Sequence, residues 1–283
     1  MDNRNTSPTT DPLRDDAILP PTRIVAAGVI PFLVAAFVIL YLWPESTAHW
    51  FAWKIDSPLT TALMGAGYLG GAYFFGRLLG DRRWHRFGGG LPAVAVFTAV
   101  MLAATLLHWD IFDPDHWVFW VWLVLYILTP VVVPLVWWIN RRRDPGTPET
   151  ADVLLPAAAG RFILAAGAGL LGAAAVMFFL PAKAIELWPW PLTPLTARVL
   201  AGWLALLGTG ALTMSRERRW SGWRIPLQSI LLWQALLVVA FVIHRHAFGP
   251  AGPLNWFTLF TVTGLIIAVV FYIRMERRAG RPK

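Results

Sequence analysis

The sequence predicts an all-α integral membrane protein: a helical bundle of eight transmembrane helices built from two parallel four-helix repeats. Three observations predict it. The chain has 283 residues, of which 57% are hydrophobic and only 14% charged, with a mean hydropathy of +0.56. Soluble domains carry about a quarter charged residues. The apolar residues are gathered into eight runs, at 24–43, 58–78, 91–109, 117–139, 160–180, 195–214, 226–244 and 254–273. Each is close to the ~20 residues a helix needs to cross ~30 Å of hydrocarbon. Finally, the stretch 57–120 matches 193–256 without a gap, at the offset that carries His108 to His244. Pro58-Leu59-Thr60 meets Pro194-Leu195-Thr196, Arg82-Arg83-Trp84 meets Arg218-Arg219-Trp220, and Trp120 meets Trp256. Lipid enforces apolar residues in both copies; it does not enforce matching Pro, Arg-Arg-Trp, His and Trp.

Taken in order, residues 1–22 are rich in Pro, Thr and Asp, lack the apolar core of a signal peptide, and read as a disordered cytoplasmic tail. The first repeat covers 23–143, and 144–157 is a polar cytoplasmic linker. The second repeat covers 158–275, and 276–283 is a basic cytoplasmic tail. Pro58 and Pro194 open their helices, where a missing N–H costs nothing. The glycines at 65, 67, 70 and 71 read as surfaces for close helix packing.

All Lys and Arg fall on one side of the predicted bundle except Lys54, Lys183, Arg198 and Arg245. The positive-inside rule then places both termini in the cytoplasm, with the chain in a bacterial plasma membrane. The formal charge of +8 is thus a topology signal, and nucleic acid is not an expected partner. The bilayer is the expected partner; a small-molecule or lipid substrate and a homo-oligomer stay open. Arg82, Arg83, Trp84, Arg218, Arg219 and Trp220 read as interface anchors, with Trp at headgroup depth and Arg against lipid phosphate.

The sequence contains no Cys, excluding disulfides, thiolate metal sites and cysteine nucleophiles. All sixteen Asp and Glu lie in loops, tails or helix ends, which disfavours ion coupling through membrane-embedded carboxylates. No motif for binding nucleotide phosphate, no HExxH and no GxSxG is present. What remains is a polar face on the outer side. His108, Asp110, Asp113 and His116 follow the third run; His244 and His246 follow the seventh, where no acid occurs. Three readings compete. The histidines cap helix C-termini; His108, Asp110, Asp113 and His116 hold a divalent cation or catalyse; or His108 and His244 face one another and share a metal, haem iron or polar ligand. Arg198, one turn inside the sixth run, either snorkels outwards or attracts an anionic substrate. The sequence requires no cofactor.

Residues 24–278, with a Trp–Pro outer link, the Pro-Leu-Thr helix start, the Gly-rich second helix and Leu107-His108-Trp109-Asp110, resemble an uncharacterised family of bacterial polytopic membrane proteins with tandem four-helix repeats. The resemblance implies the eight-helix architecture and no activity. Three function classes follow: a small permease whose halves rock about their common axis, a membrane enzyme or metal- or haem-binding protein using the outer His/Asp face, and a non-catalytic scaffold or accessory subunit. The duplication and the nearly uncharged bundle favour the permease.

Overall fold

The computed structural model describes residues 14–149, 152–245 and 252–280. Eight long helices carry the fold: α1 (Pro20–Phe37, continued by a π-helical turn over Val38–Leu42), α2 (Pro58–Gly80), α3 (Leu91–Leu107), α4 (Trp117–Asn140), α5 (Ala157–Phe179), α6 (Pro194–Met214), α7 (Trp220–Ile243) and α8 (Pro253–Ala279). Short helices at Thr47–Trp50, His85–Gly88 and Pro181–Leu187 sit in the links. The prolines at the starts of α2 and α6 take the first helical position. Ser57 Oγ accepts from the Thr60 N–H at 3.3 Å and Thr193 forms a reciprocal capping box with Thr196.

Seven of these helices are long and apolar enough to cross a membrane; α2 is not among them. At 23 residues it has the length, but its six glycines, two threonines and two tyrosines dilute its apolarity. The reason is its place in the bundle. α2 and α6 touch each other in the middle, and neither presents a large exposed apolar side chain among the described residues. Peripheral helices do the opposite: Ile24 and Phe32 on α1, Val131 on α4, Phe162 on α5 and Phe260 on α8 are exposed. Lipid selects for apolarity on the outside, whereas an inner helix is selected for close approach. α1 packs on α2 and α5 on α6; α3 packs on α6 and α7 on α2; α3 packs on α4 and α7 on α8.

Close approach is visible at two glycines of α2. A Cβ at Gly67 would lie 2.5 Å from the Trp203 ring of α6, and one at Gly70 would lie 3.0 Å from the Ser229 carbonyl of α7.

The expected tail and linker reach further into the fold than their composition suggests. Asp16 and Ile18 are each only 5% exposed, and α1 already begins at Pro20. Ala17 bridges antiparallel to Arg83, as Leu154 does to Arg219. Trp84 N–H donates to the Asp16 carbonyl at 2.7 Å and Trp220 N–H to the Val153 carbonyl at 2.9 Å. The Arg-Arg-Trp segments lie between helices, so their backbone groups need partners, and the chain just before α1 and before α5 supplies them. Residues 16–18 and 153–155, expected in the tail and the linker, thus pack against the Arg-Arg-Trp segments. Residues 1–13 lie outside the described residues.

Candidate functional site along the seam between the halves

The chain to Arg143 and the chain from Asp152 meet along a seam centred on α2 and α6. Its middle is dry and aromatic. The Trp203 ring lies 4.5 Å from Phe97, 5.0 Å from Tyr68 and 5.1 Å from Trp233. Tyr68 and Tyr126 share a hydroxyl–hydroxyl bond of 3.0 Å, and Trp233 Nε1 donates across the seam to the Leu63 carbonyl at 3.0 Å. Trp203 Nε1 is buried without a hydrogen-bond partner, as are Trp53 Nε1 and Trp188 Nε1 elsewhere among the described residues.

At the end of the seam away from the Arg-Arg-Trp segments the structure brings together two residues that the sequence offers separately. Arg198 Nη1 lies 2.6 Å from His108 Nε2, while Arg198 Nε donates to the Phe178 carbonyl at 3.0 Å. Arg198 thus ties α6 to the ends of α3 and α5. A guanidinium only donates, so His108 Nε2 must be the acceptor. Desolvation first, and then the Arg198 charge, hold the His108 imidazole below its ordinary range, against a smaller opposing pull from Asp110.

The other outer-face candidates are dispersed. His116 Nε2 is engaged with the His49 carbonyl at 2.9 Å, and the Asp113 carboxylate accepts the Asp115 N–H at 2.9 Å. Asp110 sits on an exposed turn of 3-10 helix, His244 caps the end of α7, and His246 lies outside the described residues. Among the described residues no group of three or more His, Asp and Glu is placed to hold a metal ion. His108 Nε2 is occupied by Arg198, which leaves its Nδ1 for any ligand shared with His244.

The Arg-rich end holds a denser constellation. Asp16 accepts the His85 N–H at 2.9 Å through Oδ1 and meets His85 Nδ1 at 2.6 Å through Oδ2. Asp152 treats Ser221 in the same manner: Oδ1 accepts the Ser221 N–H at 3.1 Å and Oδ2 takes its hydroxyl. Both carboxylates therefore sit at helix N-termini, that of the short helix His85–Gly88 and that of α7, where backbone N–H groups and the helix dipole favour negative charge. His85 Nε2 and Ser221 Oγ then meet across the seam at 2.9 Å, with residue numbers 136 apart, the offset of the matched stretches. Glu149 Oε1 lies 3.2 Å from His85 Nε2 and is gripped by Arg86 at 2.9 Å. Arg86 also reaches Asp81 at 3.0 Å.

This constellation escapes a sequence reading because its carboxylates fall in segments that look like tail and linker. One signal was available. Asp16, Leu19 and Pro20 recur as Asp152, Leu155 and Pro156, at the same offset.

The expected anchors divide. Arg82 and Arg218 are exposed and free to meet phosphate. Trp84 and Trp220 are not lipid-facing anchors: they are 1% and 3% exposed and pack in the core. Arg219 is pinned inside by Asp144, at 2.8 Å and 2.9 Å, and by Glu217. Burial opposes the Arg219 charge, but the bonds from Asp144 and Glu217 outweigh it and raise its pKa. Burial likewise opposes the Asp144 charge, and the Arg219 hydrogen bond outweighs it, holding the Asp144 carboxyl below its usual range. Beside Arg219 a shallow pocket of about 340 Å³ is lined by Arg216, Arg218, Gly146, Pro148 and Leu154. A second, apolar groove of about 340 Å³ runs between α3, α5 and α6, past Ala103, Leu171, Phe178 and Ala201.

Compared with known proteins, the chain matches no family, no curated protein and no solved structure.

Proposed function

We propose that the chain spans a bacterial plasma membrane eight times as two parallel four-helix repeats, both termini cytoplasmic, and works as a small permease whose halves move against each other along the seam. One observation carries the reading. Side chains from opposite halves close both ends of the seam, Arg198 with His108 outside and His85 with Ser221 inside, around an aromatic centre that holds an unpartnered donor. That is the arrangement of a carrier in its closed form, with two gates and a middle that neither gate exposes. The repeat is supported by the helix pairings, which exchange among themselves when α1–α4 are replaced by α5–α8. The eighth span is supported by the length and central position of α2.

The Arg198 guanidinium at the outer gate and the Trp203 N–H beyond it favour a small solute bearing hydrogen-bond acceptors, anions included. The test is uptake into sealed proteoliposomes from a panel of small anions and neutral acceptor-bearing solutes. Arg198→Ala is expected to abolish uptake in protein that still folds, with the lost ties to α3 and α5 lowering thermal stability only in part. Absence of flux for every solute, with wild-type protein in either orientation, would sink the reading.

A second reading is an enzyme. The line Asp16–His85–Ser221 has the acid–base–nucleophile order of a serine hydrolase, with distances of 2.6 Å and 2.9 Å. Ser221 Oγ is already held by Asp152, which competes for its proton. A fluorophosphonate probe decides: covalent labelling at Ser221 supports an enzyme, and unlabelled Ser221 in folded protein removes it.

A further inference from the structure

We propose that the Arg-rich gate is a proton-binding site, in which one proton shared among His85, Asp16, Asp152 and Glu149 holds the two halves together. The argument rests on hydrogen-bond roles. Ser221 has a single proton to give. An ionised carboxylate only accepts, so Ser221 donates to Asp152, and the 2.9 Å contact with His85 must be donated by His85 Nε2–H. His85 Nδ1 faces Asp16 Oδ2, again an acceptor, so Nδ1 also carries hydrogen. A ring with hydrogen on both nitrogens is an imidazolium. Placing that proton on Asp16 or Asp152 instead leaves the count unchanged, because the cluster still holds one proton beyond a neutral imidazole and ionised carboxylates.

Every charged group around His85 fits this reading. Asp16 comes from the segment before α1, Glu149 from the linker, and Asp152, through Ser221, from the segment before α5. Arg83 lies 3.8 Å from Asp16 and 3.7 Å from Glu149, and Arg86 is divided between Glu149 and Asp81. Asp144, further off, is neutralised by Arg219. Without the shared proton, Ser221 has one hydrogen for two acceptors, His85 Nε2 and Asp152, so either the bond across the seam or the bond to Asp152 is lost. Asp16, Glu149 and Asp152 are then left facing one another around a neutral ring, and the carboxylates repel. The His85 side chain is only 1% exposed, so the proton leaves most readily when the gate opens, and opening and proton release become one event.

The inference rests on the permease reading only in treating that opening as a transport step. Where that reading holds, the coupling ion is a proton, bound at a gate instead of on a mid-membrane carboxylate.

The chain has no Cys, so labels are readily placed. Spin labels at Arg82→Cys and Arg218→Cys, both exposed and on opposite halves, report the gate by double electron–electron resonance in lipid nanodiscs. Between about pH 5 and pH 9, the distance should lengthen as pH rises. The open-to-closed ratio should rise by up to about tenfold per pH unit, the limit for one linked proton. His85→Gln should abolish the pH dependence. Ser221→Ala, which keeps the Asp16–His85 pair, should leave the gate open even at low pH. A wild-type distance that ignores pH, a pH dependence that survives His85→Gln, or a closed gate in Ser221→Ala each overturns the proposal. A pH-dependent gate without solute flux ends the permease reading alone; flux with a pH-indifferent gate ends this inference alone.

Discussion

Replacing Gly67 by Ala tests how tightly the centre of the seam is packed. The added Cβ would stand 2.5 Å from Trp203 Cζ3, 2.8 Å from Cη2 and 3.0 Å from Cε3. Carbon atoms at rest are about 3.5–4.0 Å apart, so the ring or the helix must move by about 1 Å. Trp203 has nowhere to go, because Phe97, Tyr68 and Trp233 hold it at 4.5, 5.0 and 5.1 Å. Overpacking of this kind costs about 1–3 kcal/mol. The substitution also gains up to about 1 kcal/mol of helix propensity, leaving a net loss of about 1–2 kcal/mol. Gly76 supplies the internal control: it lies on the same helix with nothing within 4 Å of its would-be Cβ. Thermal unfolding in detergent, followed by circular dichroism, should show Gly67→Ala several degrees below wild type and Gly76→Ala at or above it. Trp203→Leu costs stability by itself, but combined with Gly67→Ala the loss should be smaller than the sum of the two single losses, since the smaller side chain makes room. If Gly67→Ala and Gly76→Ala behave alike, the α2–α6 contact is looser than the structure shows.

Two further predictions concern charge. Because the folded-state pKa of His108 is depressed, its contribution to stability is present above the unfolded value of about 6.5 and is lost as pH falls through the lower folded value. Amide exchange around residues 105–111 should therefore quicken on acidification, and Arg198→Ala should flatten that response. Asp144 also has a depressed pKa, so its contribution is present above about pH 3.9 and fades as pH falls below it. Arg219→Ala leaves Asp144 and Glu217 without their partner and should cost up to about 3 kcal/mol, the lower end of the range for breaking a buried pair. It should also remove the sharp acid sensitivity in melting curves taken between about pH 3 and pH 6; curves matching wild type would refute the pairing.

The spans were legible because lipid writes itself into composition: seven long helices are apolar enough to be read from the chain alone. α2 was legible by length and by its match to α6, while its modest apolarity reflects a helix that faces protein. The Arg198–His108 contact was half legible. His108 and Arg198 each stood out, but their meeting depends on two helix ends distant in sequence. The Arg-rich cluster was not legible as a unit, since Asp16, His85, Asp152 and Ser221 are brought together only by the packing of segments without hydrophobic periodicity. Trp84 and Trp220 were misassigned for a simple reason: a Trp after two arginines at a span's end has the same local sequence whether it turns to lipid or to the core.

The contact between Gly67 and Trp203 has a genetic consequence. These two positions occupy equivalent places in the matched stretches, as do His85 and Ser221. In a pair of separate, identical four-helix chains, such a place would meet its own copy. Two glycines there leave a hole and two tryptophans collide; two serines supply no imidazole to meet the hydroxyl. A pair of identical chains cannot place unlike residues at a self-facing position, whereas a single chain that carries both stretches can. Either stretch paired with a copy of itself would therefore lose the contacts that join the two stretches here.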